Sequence, residues 1–236
     1  MIRRGFKAIG LFFIFATSIS SLYLFNLFFM KPASIDHYLG KEVLVDLVSS
    51  PEYMTYMGIF DSFNWVTNHN AELSIIGKDD IQNDIKSSQK SLKLLNKYED
   101  SSLSDSQKIT KRIAIFDIEN NLNQLENFPY HDYPLNQVRG AHHNVISFMS
   151  DQHPVRNYSE AKDFIKRTDL VKDVFTGQLD WLKKQAAVGV YAPEFVYDHI
   201  INQLNELINY SADEHPIYTE FFKKVELLNI SESKFS

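Results

Sequence analysis

The sequence predicts an all-α protein, one amino-terminal transmembrane helix followed by a multi-helix domain, on three observations. Only 8 Gly and 7 Pro occur in 236 residues, about half of average usage, and few turn-formers mean few turns and long helices. Apolar residues recur every three to four positions beyond Ile81, which is the helical period. No Asn-Gly or Asp-Gly pair, the strongest sign of a tight hairpin, occurs anywhere. Hydrophobic residues at 44% and charged residues at 23% are ordinary globular usage, which argues against disorder. A net charge of -6 gives no basic bias toward nucleic acid. The lack of cysteine excludes disulfides, thiolate zinc sites and cysteine nucleophiles.

The first element is a membrane signal. Arg3, Arg4 and Lys7 precede an uncharged run over 8–30, closed by Lys31 and Pro32. As a helix that run spans roughly 34 Å, enough for a hydrocarbon core of about 30 Å. The basic amino flank places the amino end in the cytoplasm and exports the rest. This divides the chain into a cytoplasmic stub and signal anchor over 1–31 and an exported helical domain over 32–236, with the lipid bilayer as partner through 8–30. The alternative is a cleaved signal peptide with an apolar core at Ile9–Phe15 and a weak small-x-small site at Ser18 and Ser20, which would leave a secreted body. Losing the three basic residues makes the body more acidic still, so its surface is expected not to bind anionic lipid.

The exported helices follow in order. Ile81, Ile85, Leu92 and Leu95 mark one, and a Ser/Asp-rich loop covers 100–105. Ser104 and Gln107 have capping-box spacing, and Ile109, Ile113, Phe116, Leu122 and Leu125 continue a stripe that ends near Phe128, before Pro129. A loop over 129–134 precedes a helix expected over 136–150, and Pro154 breaks the chain again. Ser159 is expected to cap a long helix with Phe164, Ile165, Val171, Val174, Phe175, Leu179 and Leu182 inside. Gly189 suits its stop. Pro193 suits the first turn of the next helix, whose apolar face carries Phe195, Val196, His199, Ile200, Leu204, Leu207 and Ile208. Pro216 opens a last helix with Phe221, Phe222, Val225 and Leu228.

Chemistry-bearing patterns are sparse. No His-Glu-x-x-His helix, P-loop, Gly-x-Ser-x-Gly elbow or Gly-x-Gly-x-x-Gly turn appears. The densest polar cluster joins His131, Asp132, Asn136, Gln137, Arg139, His142, His143 and His153. It offers imidazoles and a carboxylate to a metal, but His142 and His143 leave a helix about 100° apart and rarely serve one ion. Capping and interhelical hydrogen bonding is the plainer reading. Glu119 and Glu126 suit acid–base work only if burial separates their pKa values. Tyr130, Tyr133 and Tyr158 suit a pocket wall or simple loop packing, and His199 reads as a hydrogen-bonded core histidine.

The stretch Phe128-Pro129-Tyr130-His131-Asp132-Tyr133-Pro134-Leu135-Asn136-Gln137-Val138-Arg139-Gly140 resembles a signature of the bacterial family called domain of unknown function 885. His153-Pro154-Val155, Ala161 with Arg167, and Gly189-Val190-Tyr191-Ala192-Pro193-Glu194-Phe195-Val196 resemble its later elements in order and spacing, and Pro51-Glu52-Tyr53 with Gly58 suit its early segment. The resemblance covers about 50 to 225. It implies a helical, zincin-like, exported protein, often membrane-anchored, whose longer members carry a His-Glu-x-x-x-Gly-His-like zinc peptidase motif in a later half. No residue here matches that motif, so the resemblance implies no catalytic residue and no metal ligand in this chain, and zinc only for full-length relatives. Tyr133, Pro134, Asn136, Gln137 and Gly140 carry over as a structural or cleft-lining element. The chain is then expected to be an amino-terminal scaffold portion, inactive alone, whose missing carboxyl-terminal half or partner protein leaves apolar side chains facing water. The alternative is a complete non-enzymatic helical module that binds a peptide or protein partner at the cell envelope.

Overall fold

The computed structural model describes residues 2–77 and 81–228, with side chains from residue 12 onward. Among the described residues every regular element is helical, and ten are α-helices: α1 (Ile2–Phe29), α2 (Ile35–Ser49), α3 (Pro51–Met57), α4 (Asn64–Thr67), α5 (Ile81–Leu95), α6 (Asp105–Asn127), α7 (Ala141–Ser147), α8 (Tyr158–Ala187), α9 (Glu194–Asn209) and α10 (Pro216–Glu226). The chain forms two compact units, Met1–Asp46 with Ile85–Asn123, and Leu47–Asp84 with Gln124–Ser236.

In the first unit, α1 contains an 18-residue stretch, Phe12–Phe29, of mean hydropathy 1.7 with none of it buried in protein. A helix of that length and composition has the properties of a single-pass anchor or a signal sequence. The chain leaving it is pinned at once. Lys31 Nζ donates to the Lys97 carbonyl at 2.7 Å and stands 4.5 Å above the Tyr98 ring. Tyr98 in turn donates its hydroxyl to the Pro32 carbonyl at 2.7 Å. Ile35, Tyr38, Leu95 and Tyr98 form the unit's buried core.

The capping box at the start of α6 is as expected: Ser104 N–H donates to Gln107 Oε1 at 3.0 Å, and Gln107 N–H donates to Ser104 Oγ at 3.3 Å. The expected stripe holds only in its second part, however: Leu122 is buried and Leu125 half-buried, whereas Ile109, Ile113 and Phe116 are exposed and Lys111, Ala114, Ile115 and Ile118 turn inward in their place. The helix is apolar on two faces, so period alone does not choose between them. Lys111 sits inside by burying its stem and sending its ammonium to the Tyr98 carbonyl (2.5 Å) and Asp100 (2.8 Å).

In the second unit, the core is Met149, Val155, Ala161, Phe164, Ile217, Phe221 and Val225, with the Phe164 and Phe221 rings stacked at 4.8 Å. Several expectations need correction here. The helix expected over 136–150 begins at Ala141 and continues as a π-helical turn, Phe148–Gln152. Ser159 does not cap α8. Asn157 does, its extended backbone letting its side chain accept from Glu160 N–H, and Ser159 lies within the first turn. Ile165 and Leu179 of α8 are exposed, because its buried face runs through Ala161, Phe164, Arg167, Val174, Gln178 and Gln185. Pro193 stands just before α9 rather than in its first turn. On α9, Val196 and Ile200 are buried while Phe195, Ile208 and His199 are exposed, so His199 is not a core histidine. Pro216 does open α10, and Gly189 does follow α8 with a left-handed φ of 75°.

Candidate functional site

The family-like loop is built around one amide. Asn136 Oδ1 accepts from the N–H groups of Val138 (3.0 Å) and Arg139 (2.7 Å), while Asn136 Nδ2 donates to the Tyr133 carbonyl at 3.0 Å. An Asx turn of this kind competes with helix, which is why α7 starts only after it. Ala141 N–H closes the loop on the Pro134 carbonyl at 2.9 Å. Gln203 of α9 donates to the Gln137 carbonyl at 3.2 Å and faces His142 Nε2 at 2.9 Å through its oxygen. Tyr133 donates to the Tyr191 carbonyl at 3.5 Å. Gln185 of α8 holds the preceding turn through the Tyr130 and Asp132 carbonyls, at 2.5 and 2.7 Å. That turn lines a small cavity of about 330 Å³ with Tyr130, His131 and Asp132, together with Phe128 and Trp181, rather than with the motif residues themselves.

Gly140 has no room for a side chain. A Cβ would lie 2.4 Å from His142 Cε1 and 2.6 Å from the Asn136 carbonyl oxygen. Gly140→Ala is therefore expected to destabilise the protein by about 1–3 kcal/mol through overpacking, read as a lower thermal midpoint of the purified full chain. An unchanged midpoint would show that the loop can open without loss.

A second constellation joins elements that are remote in sequence. Arg167 of α8 is fully buried. Its Nε donates to the Glu72 carbonyl at 2.8 Å, and its Nη2 donates to Thr55 Oγ1 at 3.0 Å and to the His69 carbonyl. Its guanidinium lies 4.9 Å over the Phe148 ring. Burial lowers its pKa to about 10, opposed by the charges of Glu52, Asp163 and Glu72, so it remains a cation at neutral pH. Thr55 passes the network on to Asn70 Oδ1 at 2.8 Å, and His153 Nε2 meets the Asn70 carbonyl at 3.0 Å. Asn64 links Asp163 of α8 to the Asn70 backbone. The arrangement straps the segment containing α3, α4 and residues 69–72 onto α8. Arg167 was visible in the sequence only as a family-like position, and its burial was not.

The histidines do not assemble around an ion. His142 is buried against Gln203, while its neighbour His143 is exposed, with ring centroids 4.4 Å apart. His153 has both ring nitrogens facing backbone carbonyls, Pro154 at 2.9 Å and Asn70 at 3.0 Å; the neutral ring donates to only one of them, so the pair favours the charged form and opposes the effect of burial. Burial, then the nearby Arg167 cation, depress its pKa to about 4. Burial likewise lowers His69 and His142. Among the described residues no three His, Cys, Asp or Glu side chains converge to hold a metal. Glu119 and Glu126 are both exposed on α6, without the burial that an acid–base pair requires. Tyr130 packs edge-on against Trp181 at 5.1 Å, and Tyr158 is exposed at the start of α8.

An apolar concavity of about 800 Å³ lies between α8, α9 and α10. Ile165, Phe175, Leu207, Ile208, Tyr218 and Phe222 are among its walls, and Ile208 is 77% exposed. Asp169 and His215 supply its polar edge. This is within the size range of binding pockets, with the expected apolar lining and few polar groups. Helical periodicity had assigned several of these residues to the core, since a groove and a core share the same spacing.

A family model described as "Bacterial protein of unknown function (DUF885)" matches residues 51–234. No curated protein and no solved structure matches the chain.

Proposed function

Because the chain belongs to the DUF885 family of bacterial proteins, we propose that it is the membrane-tethered scaffold portion of a metallopeptidase-like protein. In this reading α1 is an uncleaved anchor with its amino end in the cytoplasm. The second unit provides a peptide-binding groove, and the chain alone cuts no bond. The observation that carries the reading is the open apolar groove of about 800 Å³ lined by α8, α9 and α10, the kind of surface on which peptide segments dock. The Asn136 turn and the Gln203 and Gln185 bridges fit a structural role, fixing the loop that precedes α7 onto α8 and α9.

The test is binding of a fluorescent apolar peptide to the full chain in nanodiscs, followed by anisotropy. Ile208 is exposed, so Ile208→Glu leaves the core intact while placing a charge in the groove. We expect at least a tenfold weaker Kd, as befits a carboxylate desolvated against an apolar ligand. Equal binding by both proteins would remove the groove from the account. The same groove also supports a non-enzymatic module that holds a partner at the envelope. Genomic DNA following the codon for Ser236 separates the two: a His-Glu-x-x-x-Gly-His segment favours the scaffold, and a plain intergenic gap favours the module.

A further inference from the structure

The net acidity of the chain hides a strongly basic groove in the first unit. A cavity of about 880 Å³ is lined by Lys31, Lys41, Lys86, Lys90, Lys93 and Lys97, with Glu42 as its one carboxylate. Glu42 is already engaged by Lys41. Lys86, Lys90, Lys93 and Lys97 are spaced four, three and four residues apart along α5 and the turn that follows it. That spacing puts them on one helical face over roughly 16 Å. All four are exposed, and none forms an ion pair among the described residues. Four like charges on one face repel one another, so an arrangement left without counter-charges favours an anion from outside.

The opposite wall identifies that anion's other half. It is the last turn of the apolar span and the residue after it, Leu27, Phe28, Phe29 and Met30, joined by Val45 and Leu94. A residue at the end of a spanning helix lies at headgroup depth, where lysine stems lie along apolar surface and the ammonium groups reach the phosphates. The Lys31–Lys97 and Tyr98–Pro32 bonds fix the end of α1 against the end of α5, so both walls are held together before any ligand arrives.

The geometry points to a binding site for an anionic phospholipid, its phosphate on the α5 lysines and its acyl chains along the last turn of α1. It rests on the membrane-anchor reading of α1 and runs against the expectation that the acidic body does not hold anionic lipid. Local charge decides this, because fields from the distant carboxylates are screened within about 8 Å at physiological salt.

The full chain, with α1, is tested in two steps. Flotation with neutral phosphatidylcholine vesicles comes first. Failure to float would overturn the anchor, and the lipid site with it. Native mass spectrometry then measures lipid retained from nanodiscs of equimolar phosphatidylglycerol and phosphatidylcholine. Each lysine near an anionic surface contributes about fivefold, so we expect a preference for phosphatidylglycerol of about tenfold or more. It should be abolished in the K86Q/K90Q/K93Q/K97Q variant, which removes exposed charges and no core contact. Equal retention of the two lipids by the wild type, or an unchanged preference in the variant, would overturn the lipid site while leaving the anchor standing. Retention of inorganic phosphate with no lipid preference would do the same.

Discussion

Arg167→Leu is expected to destabilise the second unit by about 3–5 kcal/mol, because three buried polar groups lose their donor at once. Leucine fills part of the volume but donates nothing. The carbonyls of His69 and Glu72 and the hydroxyl of Thr55 lose the donors that satisfy them, and each buried polar group left unmatched costs about 1–3 kcal/mol. Lysine is not a conservative replacement, because its single ammonium cannot reproduce a planar fork aimed at three acceptors. The expected signature in limited proteolysis is early cleavage within 51–77, the segment that Arg167 straps to α8. A full-chain Arg167→Leu variant with a wild-type melting midpoint and the same protection of that segment would show that the network is dispensable.

The second large effect is acid instability. His153 is buried, with its pKa depressed to about 4 by desolvation and by the Arg167 cation; Lys224, whose ammonium binds the His153 carbonyl at 2.9 Å, acts in the same direction. In the unfolded chain a histidine titrates near 6.5. Between these two values the unfolded state binds the extra proton, so stability rises with pH across that window. The contribution is fully present above about pH 6.5 and is lost as the pH falls toward 4. For a shift of this size it amounts to about 3 kcal/mol. His69 and His142, also lowered by burial, add in the same direction. Melting midpoints of the full chain between pH 7.5 and 4 should fall, most steeply below 6.5, and His153→Gln should flatten part of the slope. A midpoint independent of pH over this range would contradict the neutral, buried imidazole.

The fold class and most helix positions were legible because period and punctuation act locally. The capping box at Ser104 and Gln107, Pro216 at the start of α10 and the break at Pro154 are each decided by a few neighbouring atoms. What was not legible depends on tertiary partners. The expected stripe of α6 is inward at Leu122 and Leu125 but outward at Ile109, Ile113 and Phe116, because there the core formed by Tyr38 and Tyr98 accepts the other side of the helix. Asn157 took the cap from Ser159, since both are good caps and only the approaching chain distinguishes them. The family-like loop was legible as a loop, but the bridges from Gln185 and Gln203 come from helices about fifty residues or more away. The lysine face of α5 was open to detection by spacing alone. The net charge of the whole chain averages it away, because the carboxylates elsewhere outnumber these four lysines.

In the function proposed above, this chain tethers and shapes a peptide groove without cutting what the groove holds. Its most direct test follows an apolar peptide, incubated with the full chain in nanodiscs and with added zinc, by anisotropy and mass spectrometry together. The peptide is expected to bind and to be recovered intact, with or without a chelator. Chelator-sensitive cleavage by this chain alone, or the absence of any binding, would contradict that function.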